Sequence, residues 1–114
     1  MPRSRAATAR RVGSYAPVFA ALGDDTRLAL VSRLSSSGPL SIVELTRGSE
    51  VSRQAVTKHL RVLEDAGLAR AQREGRERVW ELEPHRLAEA RRCLDLISSD
   101  WDAAIGRLKQ FVET

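Results

Sequence analysis

Apolar residues recur every seven positions through the last quarter of the chain, and this repeat constrains the fold more than any other feature. Two interleaved sets carry it, namely Leu87, Leu94, Trp101 and Leu108, and Ala90, Ile97, Ala104 and Phe111. This spacing places both sets along one face of a single helix, as in the seam of a coiled coil. Four heptads of helix, about 28 residues, span about 42 Å, which is more than the rest of a small domain can cover. We therefore predict a helix over about 84–113 that pairs with a second copy, with Ile105 and Val112 widening the stripe.

The length and composition are those of one ordinary globular domain. The chain has 114 residues, of which 42% are hydrophobic and 30% charged, as in a typical globular domain. Its longest apolar run, Ala16–Leu22, is too short for a transmembrane helix or a secretory signal. The single cysteine, Cys93, excludes an intramolecular disulfide framework and an all-cysteine zinc site. These features predict a cytoplasmic protein with no membrane partner.

Positive charge is concentrated in two separate parts of the chain, although the formal net charge is only +4. Residues 1–13 contain four arginines and no acid, and residues 47–78 contain eight basic and five acidic residues. Such blocks on a near-neutral body indicate surfaces that meet a polyanion. We predict that residues 1–13 form a disordered basic arm, and entry of Arg3 and Arg5 into a DNA minor groove is one of the roles that this arm could have. The alternatives for this arm are a solubilising end and an organelle transit peptide.

Helix signals divide the first half of the predicted domain, which spans residues 14–114. A short helix over Tyr15–Leu22 is stopped by Gly23, and Asp24 then has the position of an N-cap. The second helix is predicted to bury an apolar stripe made of Leu28, Leu30, Val31 and Leu34.

A helix-turn-helix is predicted next. Ser41 and Glu44 have the capping-box spacing and begin a short third helix, which ends at Gly48. Ser52 caps a fourth helix over about 52–66, and Gly67 follows it as a left-handed stop. The tight connection between the two helices is typical of a helix-turn-helix.

The fourth helix has one apolar and one polar face. Val56, Leu60 and Leu63 share the apolar face, and the polar face consists of Arg53, Gln54, Thr57, Lys58 and Arg61. No acid is present on this polar face, so it can approach phosphates. Gln54 can pair with adenine, and Arg53 or Lys58 can read guanine. Ser52 and Thr57 suit phosphate or a single base edge, and His59 is expected to be packed or bonded to phosphate.

A basic hairpin is predicted directly after this helix. Residues 68–82 contain two alternating segments separated by Gly75 and Arg76, and Arg73, Arg76 and Arg78 lie near the tip. A solvated hairpin is the alternative to a DNA contact at this position. The predicted fold is therefore mainly α with a small β-hairpin, a winged helix-turn-helix with a long C-terminal dimerisation helix.

Two strings in the sequence carry a family resemblance. Asp24-Asp25-Thr26-Arg27 is similar to an Asp-Pro-Thr-Arg helix start, and Ser52–Leu63 (SRQAVTKHLRVL) followed by Ala66-Gly67-Leu68 resembles the recognition helix of ArsR/SmtB-type repressors. The resemblance covers about residues 15–113. It implies a homodimer whose interface includes the first and last helices, with Tyr15 and Phe19 contributing from the first. Such proteins repress their own operon and release DNA when a metal or another signal binds.

The metal ligands of the sensing members are not matched in this sequence. Their Cys-Val-Cys positions are occupied by Ser41-Ile42-Val43, and His85 has no second histidine beyond it on the last helix. A metal site needs several convergent ligands of suitable type. The ending from Trp101 to Glu113 resembles a subgroup without metal sites. We therefore predict no metal, no cofactor and no evident small-molecule effector.

Three alternatives to a DNA-binding regulator can be stated. The sequence contains neither a Gly-rich phosphate loop nor a nucleophile–histidine–acid set, so no enzyme is predicted. Cys93, placed on the polar flank of the last helix beside two arginines, can make the protein a thiol-based redox-responsive regulator. A protein-interaction module without DNA binding is the third alternative. The acid-free face of the fourth helix favours double-stranded DNA and a second copy of the chain as partners.

Overall fold

The computed structural model describes residues 12–113, which form a mainly helical domain with a small sheet. The helices are α1 (Ala16–Leu22), α2 (Asp25–Ser37), α3 (Ile42–Thr46), α4 (Arg53–Asp65) and α5 (Pro84–Glu113). The strands are β1 (Leu40–Ser41), β2 (Ala69–Glu74) and β3 (Glu77–Leu82). The predicted fold class is confirmed, whereas Arg3, Arg5 and most of the predicted basic arm lie outside the described residues.

The helices begin where the capping residues predict. The Asp24 carboxylate accepts from the Arg27 backbone N–H at 3.0 Å and starts α2. Ser41 and Glu44 form the complete capping box of α3, and the Ser52 hydroxyl accepts from the Ala55 backbone N–H at the start of α4. Gly67 follows α4 with a φ of 77°, the left-handed conformation that glycine adopts without steric cost.

The sheet has one more strand than the predicted hairpin. β3 lies between β1 and β2 and pairs antiparallel with both. Leu40 is opposite Trp80, and Ser41 is opposite Val79. A two-residue strand is too short to show an alternating pattern, so the sequence did not indicate it. Because Ser41 also caps α3, the sheet holds the hairpin against the first helix of the helix-turn-helix.

The hydrophobic core lies between helices α1 to α4, the sheet and the base of α5. Its most deeply buried large side chains are Trp80, Leu45, Leu60, Leu63, Leu68, Val18 and Val56. The apolar face of α4 is thus buried as predicted. The prediction for Leu28 is wrong, since this side chain is 54% exposed. Residues two apart are about 200° apart around a helix, so Leu28 faces away from the buried Leu30.

Leu60→Ala is expected to lower the free energy of unfolding by about 2–5 kcal/mol, because the substitution leaves a cavity at a fully buried position. Leu28→Ala is the matched control on an exposed side chain, and we expect a change within about 1 kcal/mol. Urea denaturation followed by circular dichroism measures both. Equal losses would contradict the assignment of Leu28 to the surface.

Helix α5 leaves the domain after its first three turns. It contains 30 residues and is therefore about 45 Å long, which makes 65 Å the longest dimension of the molecule. Ala90 and Cys93 are buried, and Leu87 packs partly against the core. From Leu94 onward the apolar side chains of α5 are largely exposed. Thus the proximal end of the heptad repeat packs on its own domain, while the distal end projects from it.

Candidate nucleic-acid interface

The polar face of α4 presents the five side chains that the sequence assigned to DNA. Arg53, Gln54, Thr57, Lys58 and Arg61 together line one open surface. The first turn of α4 contains no acidic residue. The Thr57 hydroxyl donates to the Arg53 carbonyl at 2.9 Å, so its hydrogen is used within the helix and its oxygen faces outward as an acceptor. The Ser52 hydroxyl accepts from Ala55, as expected for the helix cap.

The hairpin holds its three arginines in different positions. Arg76 is at the two-residue turn, where the positive φ of Gly75 allows the chain to reverse tightly. Arg73 is directly opposite Arg78, whose guanidinium lies 5.5 Å from the Trp80 ring centroid. Like charges opposite each other destabilise an antiparallel pair. An unfavourable pairing of this kind at an exposed tip is consistent with a surface that meets phosphate.

Arg70 is engaged on the other face of the hairpin. Its guanidinium donates to Glu81 at 2.7 Å and lies 3.1 Å from a Glu83 oxygen. The hydrogen bond and the charge of Glu81 raise the pKa of Arg70. The positive charge of Arg70 is therefore balanced by two carboxylates of the protein. Among the described residues, the structure gives no such pairing for the three arginines near the tip.

Sequence reasoning did not single out Arg47, which lies in the exposed connection between α3 and α4. Arg47, Thr26 and Ser49 border a pocket of about 190 Å³ that also contains Arg33. The Arg33 guanidinium donates to the carbonyls of Leu45 and Glu44 at 2.9 and 3.0 Å and is thus committed to the end of α3. Its position as a basic residue in the turn of the predicted helix-turn-helix could have identified Arg47 as a candidate DNA contact.

His59 points toward α2 rather than joining the five side chains of the polar face. Its Nδ1 lies 3.2 Å from an Arg27 nitrogen and 3.8 Å from an Asp24 oxygen. The backbone N–H of Arg27, followed by the charge of its guanidinium, holds the pKa of Asp24 below its ordinary value. The backbone N–H of Ser41 and then its hydroxyl lower the pKa of Glu44 at the neighbouring cap.

Comparisons with known proteins decide the family. A helix-turn-helix domain family matches residues 22–71. The HTH-type transcriptional regulator Rv2034 of Mycobacterium tuberculosis is 42% identical over 94 residues, which cover 82% of this chain and 84% of that protein. An ArsR-like transcriptional regulator from Rhodococcus sp. RHA1 superimposes with a TM-score of 0.73 at 33% identity, covering 92% of this chain and 95% of that one. This chain belongs to the ArsR family.

Membership of the ArsR family settles the class of function. The chain is a DNA-binding transcriptional regulator with a winged helix-turn-helix fold, and it is not an enzyme. The arsenical resistance operon repressor of Escherichia coli is a further relative, 32% identical over 78 residues that cover 68% of this chain and 67% of that protein. The predicted resemblance to the family is therefore confirmed.

The positions that correspond to the two cysteine ligands of the metal-sensing members are occupied by Ser41 and Val43 in this chain. The Ser41 hydroxyl accepts from the Glu44 backbone N–H, and Val43 is exposed. Within residues 12–113, no group of three or more His, Cys, Asp or Glu side chains is placed to hold a metal ion. In the same part of the chain, no helix combines the length and apolarity needed to cross a membrane.

The prediction that Cys93 lies on the polar flank of the last helix is wrong. Its side chain is only 3% exposed and borders a pocket of about 60 Å³ with Val12 and Tyr15. Cys93 comes three residues after the buried Ala90, so both residues occupy the same face of α5. The thiol therefore faces the start of α1 instead of solvent.

The side chains predicted for the dimer interface occupy two kinds of position. Leu87 and Phe19 pack partly against the core, and Tyr15 and Ala104 are half-buried. The exposed members are Leu94, Ile97, Trp101, Ile105, Leu108, Phe111 and Val112. These seven residues, named here the distal seam, form an apolar stripe along the projecting part of α5.

Proposed function

We propose that this ArsR-family regulator is a homodimeric repressor that binds a pseudo-palindromic operator. The observation that carries the proposal is the polar face of α4, where four exposed side chains and the half-buried Thr57 include three cations and no acid. Side chains at the N-terminal part of a recognition helix reach base edges in the major groove. Gln54 is assigned to adenine, and Arg53 or Lys58 to guanine. Ser52 and Arg61 are assigned to phosphate or single base edges, and Thr57, whose hydroxyl hydrogen is used within the helix, to a donor on a base edge.

The wing and the turn supply phosphate contacts in this proposal. Arg73, Arg76 and Arg78 are assigned to the backbone or the minor groove, and Arg47 approaches the backbone beside the start of α4. A dimer that contacts about six to ten phosphates loses affinity by about 10³–10⁵-fold between 50 and 200 mM salt. The binding should therefore be measured near physiological salt.

The second copy is proposed to bind along the distal seam. Apolar stripes of this length on soluble proteins mark interaction surfaces, and the seven-residue period suits an identical helix. In the proposed dimer, a two-fold axis at this seam would set two α4 helices in successive major grooves, about 34 Å apart. The name of the E. coli relative supports repression as the direction of regulation.

The burial of Cys93 makes a redox-responsive regulator the weaker alternative, because oxidation and disulfide exchange require an accessible thiolate. The alternative that the protein is only a protein-interaction module gives no function to the cationic face of α4.

Sequencing of genomic fragments retained by the purified protein at about 150 mM salt tests the proposed function. We expect a few sharp peaks that share an inverted repeat. Diffuse retention that disappears with a moderate increase in salt would contradict it, since phosphate attraction alone has no preferred sequence.

Arg76→Ala is expected to weaken binding by the same factor for every duplex and to reduce the salt slope by about one unit for each wing, because Arg76 meets phosphate at the hairpin tip. Fluorescence anisotropy at several salt concentrations measures both quantities. Arg70→Ala is the matched control on the same hairpin, since Arg70 is already paired with Glu81 and Glu83. A sequence-dependent loss for Arg76→Ala would contradict a phosphate contact.

A further inference from the structure

We propose that Arg27 and His59 form a bridge that positions the recognition helix α4 against the end of α1 and thereby determines how well the protein distinguishes its operator. His59 is then a positioning residue and not a DNA contact. The inference rests on the proposed function, because it concerns the accuracy of the same DNA-reading face.

Arg27 lies on α2 and makes three side-chain hydrogen bonds, two to carbonyls of α1 and one to His59 on α4. Its Nε donates to the Ala21 carbonyl at 2.6 Å, and its Nη2 donates to the Ala20 carbonyl at 3.4 Å. These carbonyls lie in the last turn of α1, where a cation is favoured, and the Ala20 carbonyl also accepts from the backbone N–H of Gly23 at 3.3 Å. The remaining nitrogen, Nη1, lies 3.2 Å from Nδ1 of His59 on α4. The guanidinium thus links the end of α1 to the middle of the recognition helix.

The contact with Arg27 has a consistent hydrogen-bond direction in one tautomer of neutral His59. A guanidinium donates and has no acceptor, so in that tautomer Nδ1 accepts and Nε2 carries the proton. The imidazole is only 24% exposed, and the Asp24 carboxylate lies 3.8 Å from Nδ1. Asp24 itself accepts from the backbone N–H of Arg27. His59 is therefore held between two groups at the start of α2, apart from the five side chains of the polar face of α4.

A directional contact at this point controls the rotation of α4 about its axis. The buried Val56, Leu60 and Leu63 hold α4 on the core, but apolar contacts have little directionality. Side-chain tips lie about 6 Å from a helix axis, so a rotation of about 10° moves them by about 1 Å. Such a shift is enough to break a hydrogen bond to a base edge. Attraction to phosphates depends much less on this distance.

The bridge also connects the DNA-reading side to the predicted dimer side. Helix α1 contains Phe19, one of the residues predicted for the dimer interface, one residue before the Ala20 carbonyl that Arg27 holds. A displacement of α1 at the interface would be transmitted to α4 through two side chains.

Two substitutions at His59 separate the effect of its hydrogen-bond acceptor on binding from the effect of its ring volume. His59→Phe retains an aromatic ring without an acceptor, and His59→Asn places an amide oxygen near the position of Nδ1. The probes are a duplex with the inverted repeat recovered from the genomic fragments and a scrambled duplex of equal composition, at pH 8, where histidine is ordinarily neutral. We expect His59→Phe to bind the repeat roughly tenfold more weakly and the scrambled duplex as before. His59→Asn should retain the preference of the unmodified protein, and His85→Phe, at the exposed histidine of α5, is the matched control.

A double-mutant cycle with Arg27→Met tests the link itself. If the bridge is correct, His59→Phe has no further effect on the preference once Arg27 is replaced, because the contact is already lost. Additive effects, or equal losses on both duplexes, would indicate a direct DNA contact by His59 and overturn the inference. Should Arg27→Met fail to fold by circular dichroism, the comparison of the Phe and Asn variants decides alone. If the unmodified protein shows no preference for any repeat, the proposed function fails instead.

Discussion

Trp101→Glu is expected to convert a dimer into a monomer and to weaken operator binding by at least about 100-fold. Trp101 is 66% exposed on the isolated chain, so the substitution should leave the fold of each subunit intact. In the proposed dimer, the same position is buried at the centre of the seam, and each copy would contribute an unpaired charge to an apolar contact. Burying an unpaired charge costs several kcal/mol, and an increase of about 2.8 kcal/mol is already a 100-fold loss. Sedimentation equilibrium measures the dimer, and fluorescence anisotropy measures the binding.

Ser99→Glu is the matched control for this experiment. It introduces the same charge two residues earlier on α5, on the side opposite the heptad seam, and we expect the dimer to persist. A Trp101→Glu protein that remains dimeric would exclude the distal seam as the interface. An unmodified protein that is monomeric at micromolar concentration would show that the seam binds something other than a second copy.

Gln54→Ala is expected to relax sequence preference while leaving most of the non-specific affinity intact. Gln54 is exposed on the acid-free face of α4, near the N-terminus of the helix that we propose to enter the major groove. A bidentate amide contact with adenine contributes about 1–3 kcal/mol of discrimination, or about 5–150-fold at one base pair. Binding to the recovered repeat and to each of its single-base-pair variants measures the change. We expect one position in each half-site to become tolerant.

The contrast with Arg76→Ala makes the Gln54 result interpretable. The wing variant is expected to lower affinity for all duplexes alike, whereas Gln54→Ala should alter the order of preference among them. If both variants lost discrimination equally, the division between base reading by α4 and phosphate contact by the wing would be wrong.

Features that depend on neighbours a few residues apart were predictable from the amino-acid sequence. Caps at Asp24, Ser41 and Ser52 mark the starts of α2, α3 and α4, because a side-chain oxygen reaches a backbone N–H three residues ahead in any tertiary context. The polar face of α4 and the hairpin follow from periods of 3.6 and 2. The length of α5 follows from its heptads. These local signals were sufficient to indicate the fold, the family and the candidate DNA-reading face.

Contacts between groups that are far apart in the sequence became known from the folded chain. Strand β1 exists because β3, almost forty residues later, offers it backbone partners. Cys93 is buried because α5 lies against the start of α1 at that point, and Arg27 meets His59, thirty-two residues away, because α2 packs beside α4. Such contacts depend on how helices pack, and periodicity assigns a residue to a face without specifying what lies opposite it. For that reason the side chains of the candidate DNA-reading face could be named from the sequence, whereas the contact between Arg27 and His59 could not.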